Sequence, residues 1–128
     1  MAEFSLHLND DQLQIKDWVH QFAKDVIRPN AIEWDEREEF PWPIVQEAAK
    51  IGMYGWEFLM NNMSDPTGLT MPVTIEELFW GDAGIGMAIM GSGLAAAGIA
   101  GNGTPAQVAE WVPQCYGDAN DVKLGAFC

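Results

Sequence analysis

Basic side chains are scarce in this chain. Six lysines and arginines stand against nineteen aspartates and glutamates, so the 128 residues carry a formal net charge of −13. Nucleic acids and anionic membrane surfaces bind clusters of lysine and arginine, and this balance argues against both as partners. Eleven of the acids lie in the first fifty residues, interleaved with apolar positions. We interpret them as the solvated faces of helices, with docking to a cationic partner as the alternative.

Cysteine and histidine are also rare. Cys115 and Cys128 are too few to form a disulfide framework, and His7 and His20 are not spaced as zinc ligands. The N-terminus lacks the charged, apolar and small-residue pattern of a signal peptide. We therefore expect a cytoplasmic protein that binds no metal.

Charge is absent from residues 83–101, AGIGMAIMGSGLAAAGIAG. Nineteen such residues meet the length of a membrane span, but six of them are glycine and no lysine or arginine stands near either end. We predict no membrane span. Instead we expect two short buried helices on either side of residues 91–93, whose small side chains let a backbone or a flat or linear ligand approach closely. This run is the part of the chain most suited to wall a binding site.

Helical periodicity dominates the rest of the chain, and 48% hydrophobic residues suffice for the core of one domain. Thr104 and Gln107 predict a capping box, and Pro29 is expected to end or bend the first helix. Trp18 and Trp111 lie on apolar helix faces and are expected in the core. Residues 56–72 lack a sustained period and are expected to form the longest loop, with a type I turn at residues 65–68.

The last residues change character. Residues 122–128, VKLGAFC, are strand-like, and a strand normally belongs to a sheet. We therefore predict an all-α fold, a bundle of about five to six helices, with a single β-strand beginning at the C-terminus. The helical domain is assigned to residues 1–120 and the start of a β-domain to residues 121–128.

Other motifs are weak. Gly91, Gly93 and Ala96 fit a dinucleotide fingerprint, but that motif needs a preceding strand, whereas residues 87–90 read as helix. Glu76 and Glu77 are adjacent, so on a helix they point about 100° apart and cannot act as a cooperative acid–base pair. Surface and capping roles are expected for both, and no catalytic residue is assigned.

Several segments, taken in order, resemble the N-terminal helical domain of the acyl-CoA dehydrogenase family. The resemblance covers nearly the whole chain, and the order and spacing of the segments make it specific. The segments are residues 8–12 (LNDDQ), 31–35 (AIEWD), 40–41 (FP), 49–55 (AKIGMYG), 75–78 (IEEL), 101–107 (GNGTPAQ) and 111–113 (WVP). The final GAFC resembles the opening of the family's first β-domain strand, and the T-E-P-x-A-G-S-D segment that follows it in full-length members is absent here.

The resemblance implies a flavoprotein in which FAD and an acyl thioester are enclosed by two helical domains and a β-domain. The reaction would be α,β-desaturation of an acyl-CoA, as in fatty-acid β-oxidation, with an electron-transferring flavoprotein reoxidising the FAD. The family's catalytic glutamate lies beyond residue 128, so the isolated chain is expected to be inactive. Full-length members are commonly homo-oligomers, dimers or tetramers.

The resemblance also implies site residues. The helix that lines the acyl-chain cavity in the family corresponds to residues 84–94, which gives the candidates Gly86, Met87, Met90, Gly91 and Leu94. Glycines make room for an apolar guest and methionines adapt to its shape. Phe127 and Cys128 are the candidates for flavin contact. The alternative interpretation is a non-catalytic helical binding or assembly module related to this family.

Overall fold

A computed structural model describes residues 6–128 of the chain. The described part contains eight α-helical segments and two short turns of tighter or wider helix. The α-helices are α1 (Asp10–Phe22), α2 (Ala31–Arg37), α3 (Trp42–Lys50), α4 (Trp56–Met63), α5 (Thr70–Gly81), α6 (Ala83–Met90), α7 (Ser92–Asn102) and α8 (Pro105–Gln114). The predicted all-α class is therefore confirmed for this part of the chain. The predicted domain boundary at residue 120 stays a prediction, and residues 1–5 of the helical domain lie outside the described residues.

Two pairs of these segments join end to end, so the eight segments build six helical rods. A π-helical turn, Ala23–Ile27, and a 3-10 turn, Arg28–Asn30, connect α1 to α2 without a break. The turn that contains Pro29 is therefore a local change of helix type rather than an end. Gly91 keeps helical angles, φ −61° and ψ −36°, and joins α6 to α7 in one helix of 20 residues. Six rods agree with the predicted five to six helices.

The helix starts follow their capping residues. Thr104 and Gln107 form the predicted capping box at α8, with the Gln107 N–H donating to Thr104 Oγ1 over 3.3 Å. Asn9 and Gln12 form a second box at α1, which satisfies backbone donors that would otherwise lack partners. These local interactions set where the first and last helices begin.

The core lies where α1, the π-helical turn and α5 pack together and continue into α6. Val19 and Ile27 from the first rod, Leu78 from α5 and Ile89 from α6 are all buried. Gly81, the last residue of α5, lies very close to the first rod. A Cβ at this position would lie 2.9 Å from Ile27 Cγ2, so only glycine fits without a shift. This close approach lets α5 pack tightly against the first rod, and the buried Ile89 turns one face of the 20-residue helix toward the core.

Residues 56–72 were wrongly assigned to a long loop. Residues Trp56–Met63 form α4, and Asn62 on this helix is buried, accepting a hydrogen bond from Thr74 of α5. A short amphipathic helix held by tertiary contacts is hard to see in a sequence, because one or two buried positions do not establish a period. The turn at residues 65–68 is confirmed, with the Gly68 N–H donating to the Asp65 carbonyl over 3.0 Å.

The expected C-terminal strand is not formed among the described residues. Residues 123–128 are irregular, and the extended pairing here is a single bridge between Gly117 and Val122. A strand gains its stability from a neighbour that supplies hydrogen bonds along its length. Here two backbone groups of the segment bond to buried side-chain hydroxyls of the helical bundle instead.

Candidate functional site

The 20-residue helix formed by α6 and α7 presents two different faces. One face is buried and carries Ile85, Ile89 and Ala96. The opposite face carries Met87, which is 50% exposed, and Leu94, which is 62% exposed. The sequence predicted two short buried helices in this run; that was wrong, because the run forms one continuous helix that the bundle covers on one side only. We call the uncovered face the apolar stripe.

Four of the five predicted acyl-contact residues belong to this stripe. Met90 and Gly91 are partly exposed and lie between Met87 and Leu94. The spacing of three, four and seven residues puts all four on one side of an α-helix. The structure therefore brings them together as one continuous apolar surface.

Gly86 lies away from the stripe. It is buried, and a Cβ at this position would lie 2.5 Å from the Cδ1 atom of Phe79. The missing side chain therefore makes room for a neighbouring aromatic ring of α5. Its role in the described structure is close packing between α5 and α6.

A groove of about 490 Å³ adjoins the start of the stripe. Trp34 and Phe40 contribute aromatic surface, and Met87 connects the groove to the stripe. Acidic side chains line it as well, from Asp35, Glu38, Glu39 and Asp82. The sequence gives no signal for this groove, because its walls come from α2, α6 and the segment before α3, which no local pattern relates.

A second groove, of about 480 Å³, lies between α7, α8 and the C-terminal segment. Trp111, Phe127 and Cys128 line it. The ring of Phe127 is 72% exposed and faces α7 at Gly98, with a closest distance of 3.5 Å to the position a Cβ would take. Trp111 and Trp18 are exposed, so the prediction that they lie in the core was wrong. Trp18 meets the ring of Phe58 on α4 edge to face, with 6.0 Å between the centroids, and remains 40% exposed, while Trp111 borders the open groove.

Glu77 has a structural role that its sequence position did not reveal. Its carboxylate is nearly buried between α1 and α5, with Oε2 at 2.6 Å from His20 Nδ1 and Oε1 at 3.7 Å from Lys16 Nζ. His20 also packs on the Trp80 ring, at 4.4 Å between centroids. The expected surface role of Glu77 was wrong. These polar contacts tie two helices together at a point outside the apolar stripe.

The helix that carries the stripe is long and apolar enough to cross a membrane by length and composition, and a third of its most apolar window is buried in the bundle. One such helix is weak evidence, because helices at the core of other proteins also meet these criteria. The expected absence of a membrane span stays a prediction.

A family model and several curated relatives show which proteins this chain is similar to. The model of the family described as "Acyl-CoA dehydrogenase, N-terminal domain" matches residues 9–117. The chain is similar to a probable medium-chain specific acyl-CoA dehydrogenase of Caenorhabditis briggsae, mitochondrial by name, at 36% identity over 78% of this chain and 25% of the relative. It is also similar to (2S)-methylsuccinyl-CoA dehydrogenase of Cereibacter sphaeroides, at 35% identity over 88% of this chain and 21% of the relative.

A third relative is the isobutyryl-CoA dehydrogenase of Dictyostelium discoideum, also mitochondrial by name, at 37% identity over 40% of this chain and 12% of the relative. The chain thus spans a quarter or less of the length of these relatives. The family match extends from the start of α1 to just beyond α8 and includes the whole apolar stripe. By this match, the chain belongs to the acyl-CoA dehydrogenase family and carries its N-terminal domain.

Proposed function

We propose that this chain is the N-terminal part of an FAD-dependent acyl-CoA dehydrogenase and that its apolar stripe walls the pocket for the acyl chain. The observation that carries the proposal is the stripe itself. Met87, Met90, Gly91 and Leu94 form an apolar surface on a helix whose other face is anchored in the core. An acyl chain gains about 0.8 kcal/mol for each methylene that such a surface removes from water.

The stripe is suited to a linear apolar guest. Gly91 has no side chain to obstruct a guest, and the two methionines that precede it have flexible, polarizable side chains that adapt to the guest. Because the helix is held by buried residues such as Ile85 and Ile89, the wall is rigid while its surface is adaptable. In the reaction these residues would orient the tail of the thioester and exclude water along it. They transfer no proton, since none of them titrates.

The described residues fit part of an FAD. The exposed ring of Phe127 and the exposed thiol of Cys128 suit the edge of an isoalloxazine ring. No lysine or arginine lines their groove within residues 6–128, so the diphosphate would need residues outside this part of the chain. When bound, FAD supplies the hydride acceptor for desaturation of the thioester. The contribution of this chain to the cofactor would be the placement of Phe127 and Cys128.

The wider assignment follows from the family and forms part of the same proposal. The substrate would be an acyl-CoA, the electron acceptor an electron-transferring flavoprotein, and the assembly a homo-oligomer. The catalytic base would lie outside these 128 residues, so the chain alone would not turn over. A cytoplasmic location and the absence of a membrane span are also proposed.

The test uses the protein expressed from its natural gene. Its visible spectrum and native mass should show bound flavin and a mass several-fold above the 14.1 kDa of this chain. The protein should reduce an artificial electron acceptor when an acyl-CoA is added. A colourless protein of about this mass would contradict the enzyme assignment and favour a helical binding or assembly module.

The pocket wall is tested by a matched pair of variants. Leu94→Glu puts a charge on the stripe and should raise KM for the acyl-CoA by about tenfold or more, because a hydrophobic contact is replaced by a group that is costly to desolvate. Ile32→Glu puts the same charge on another exposed aliphatic residue, on α2, and should leave KM within about twofold of wild type. Equal effects of the two variants on KM would contradict the role of the stripe.

A further inference from the structure

Two buried hydroxyl groups hold the C-terminal segment against the helices. Tyr54 follows α3 and Ser92 begins α7, and both side chains are buried. Their oxygen atoms are 2.6 Å apart. Tyr54 Oη donates to the carbonyl of Lys123 over 2.6 Å, and the N–H of Gly125 donates to Ser92 Oγ over 3.1 Å. We call these two residues the hydroxyl pair.

The direction of each hydrogen bond in this cluster follows from counting protons. A hydroxyl group carries one proton, and Tyr54 uses its own on the Lys123 carbonyl, which can only accept. The short contact between the hydroxyls must therefore be donated by Ser92. The result is a directed chain of three bonds that runs from the Gly125 N–H through Ser92 and Tyr54 to the Lys123 carbonyl.

This arrangement supplies what a neighbouring strand would supply. In a sheet, an extended segment finds an acceptor for its N–H and a donor for its C=O on the adjacent strand. Here Ser92 is the acceptor and Tyr54 is the donor, for two groups on one side of the segment. The N–H of Lys123 also donates to the Tyr116 carbonyl over 2.9 Å, and beyond that bond the hydroxyl pair explains how the segment keeps a defined path without belonging to a sheet.

The segment also lies too close to the bundle for other residue types. A Cβ at Gly125 would lie 2.8 Å from the Cβ of Cys115 and 3.0 Å from that of Ala95. Two residues later Phe127 contacts α7 and, with Cys128, lines the second groove. The position of these two side chains therefore depends on where residues 123–125 are held.

We propose that Tyr54 and Ser92 are positioning residues, which hold residues 123–125 through their hydroxyl groups and thereby place Phe127 and Cys128 for contact with the flavin. The flavin part of this inference rests on the proposed function. The claim that the two hydroxyls hold the segment does not rest on that function, because it follows from the hydrogen bonds. Neither hydroxyl touches the reacting atoms in this assignment.

The experiment compares Tyr54→Phe, Ser92→Ala and Thr74→Val in the protein from the natural gene. Thr74→Val is the matched control, because it removes a buried hydroxyl whose bond goes to Asn62. Amide hydrogen exchange is measured in residues 123–128, and the visible spectrum reports the surroundings of the bound flavin. Tyr54→Phe removes only the hydroxyl and keeps the ring packed on Tyr116. It therefore provides the test on its own if Ser92→Ala does not fold.

We expect exchange in residues 123–128 to become about tenfold faster in both pair variants, because a buried backbone group loses its partner. The flavin band should shift or lose intensity in the same two variants, and the control should match wild type in this segment and in its spectrum. Unchanged exchange in both pair variants would overturn the inference. Faster exchange with an unchanged flavin spectrum would overturn the placement of the flavin contact.

A colourless wild-type protein would instead count against the proposed function. The exchange comparison would still decide whether the hydroxyl pair holds the segment. The two failures are therefore distinguishable.

Discussion

Replacing Gly81 by alanine tests the packing of the bundle most directly. A Cβ at this position would lie 2.9 Å from Ile27 Cγ2, 3.0 Å from Ile27 Cβ and 3.1 Å from the Cβ of Ala23. These atoms lie near the backbone of the first rod and are buried, so they cannot swing away as the end of a long side chain could. Overpacking of this kind costs about 1–3 kcal/mol.

Gly101 provides the matched control. It lies near the C-terminal end of α7, as Gly81 lies at the end of α5, and a Cβ there would meet nothing within 4 Å. Alanine stabilises a helix by up to about 1 kcal/mol relative to glycine, and this gain applies to both positions. The difference between the two variants therefore isolates the steric cost.

Denaturant unfolding followed by tryptophan fluorescence gives the free energy of unfolding for each variant. We expect Gly101→Ala to be more stable than wild type by up to about 1 kcal/mol, and Gly81→Ala to be less stable than Gly101→Ala by about 1–3 kcal/mol. If Gly81→Ala were as stable as Gly101→Ala, the close approach of α5 to the first rod would be refuted.

Three further predictions concern single groups. Hydrogen bonds, above all from Thr70, lower the pKa of Asp65. Its carboxylate should therefore stabilise the turn above the unfolded pKa near 3.9, and this effect should be lost only as the pH falls through the lower folded pKa. NMR titration of the wild-type chain, with Asp65→Asn as the control, checks this. Burial raises the pKa of Tyr116 to about 12, so its neutral form should stabilise the fold below pH 10 and this effect should be lost as the pH rises towards 12; NMR of the Tyr116 ring should show no ordinary titration near pH 10. Thr104→Ala removes the cap that receives the Gln107 N–H and should lower the free energy of unfolding by about 1 kcal/mol, whereas an unchanged value would show that the capping box contributes nothing.

The helices and their ends were predictable from local signals. The capping box at Thr104 and Gln107, the turn at residues 65–68 and the helical class all follow from the residues present within a few positions of one another. The missed helix, Trp56–Met63, is tied to α5 by the bond between Asn62 and Thr74, which belong to different helices. Local patterns do not contain such contacts.

The candidate site was predictable only in part. The sequence indicated the charge-free run and, through the family resemblance, its role, but it could not show which side chains face outward. Packing decided this, since Gly86 turns towards Phe79 while Met87 and Leu94 remain exposed. Likewise, Trp18 and Trp111 look like core residues by periodicity but are exposed: Trp18 meets Phe58 of α4 only at a ring edge, and Trp111 borders the open second groove.

The sequence by itself determined the helical class, the family and the position of the apolar run, because these depend on composition and on spacing along the chain. The tertiary structure alone decided which face of that run is free and how residues 123–125 are held. The reason is physical: burial and the bonds of the hydroxyl pair join residues such as Tyr54, Ser92 and Gly125, which are up to 71 positions apart and meet only when the helices pack.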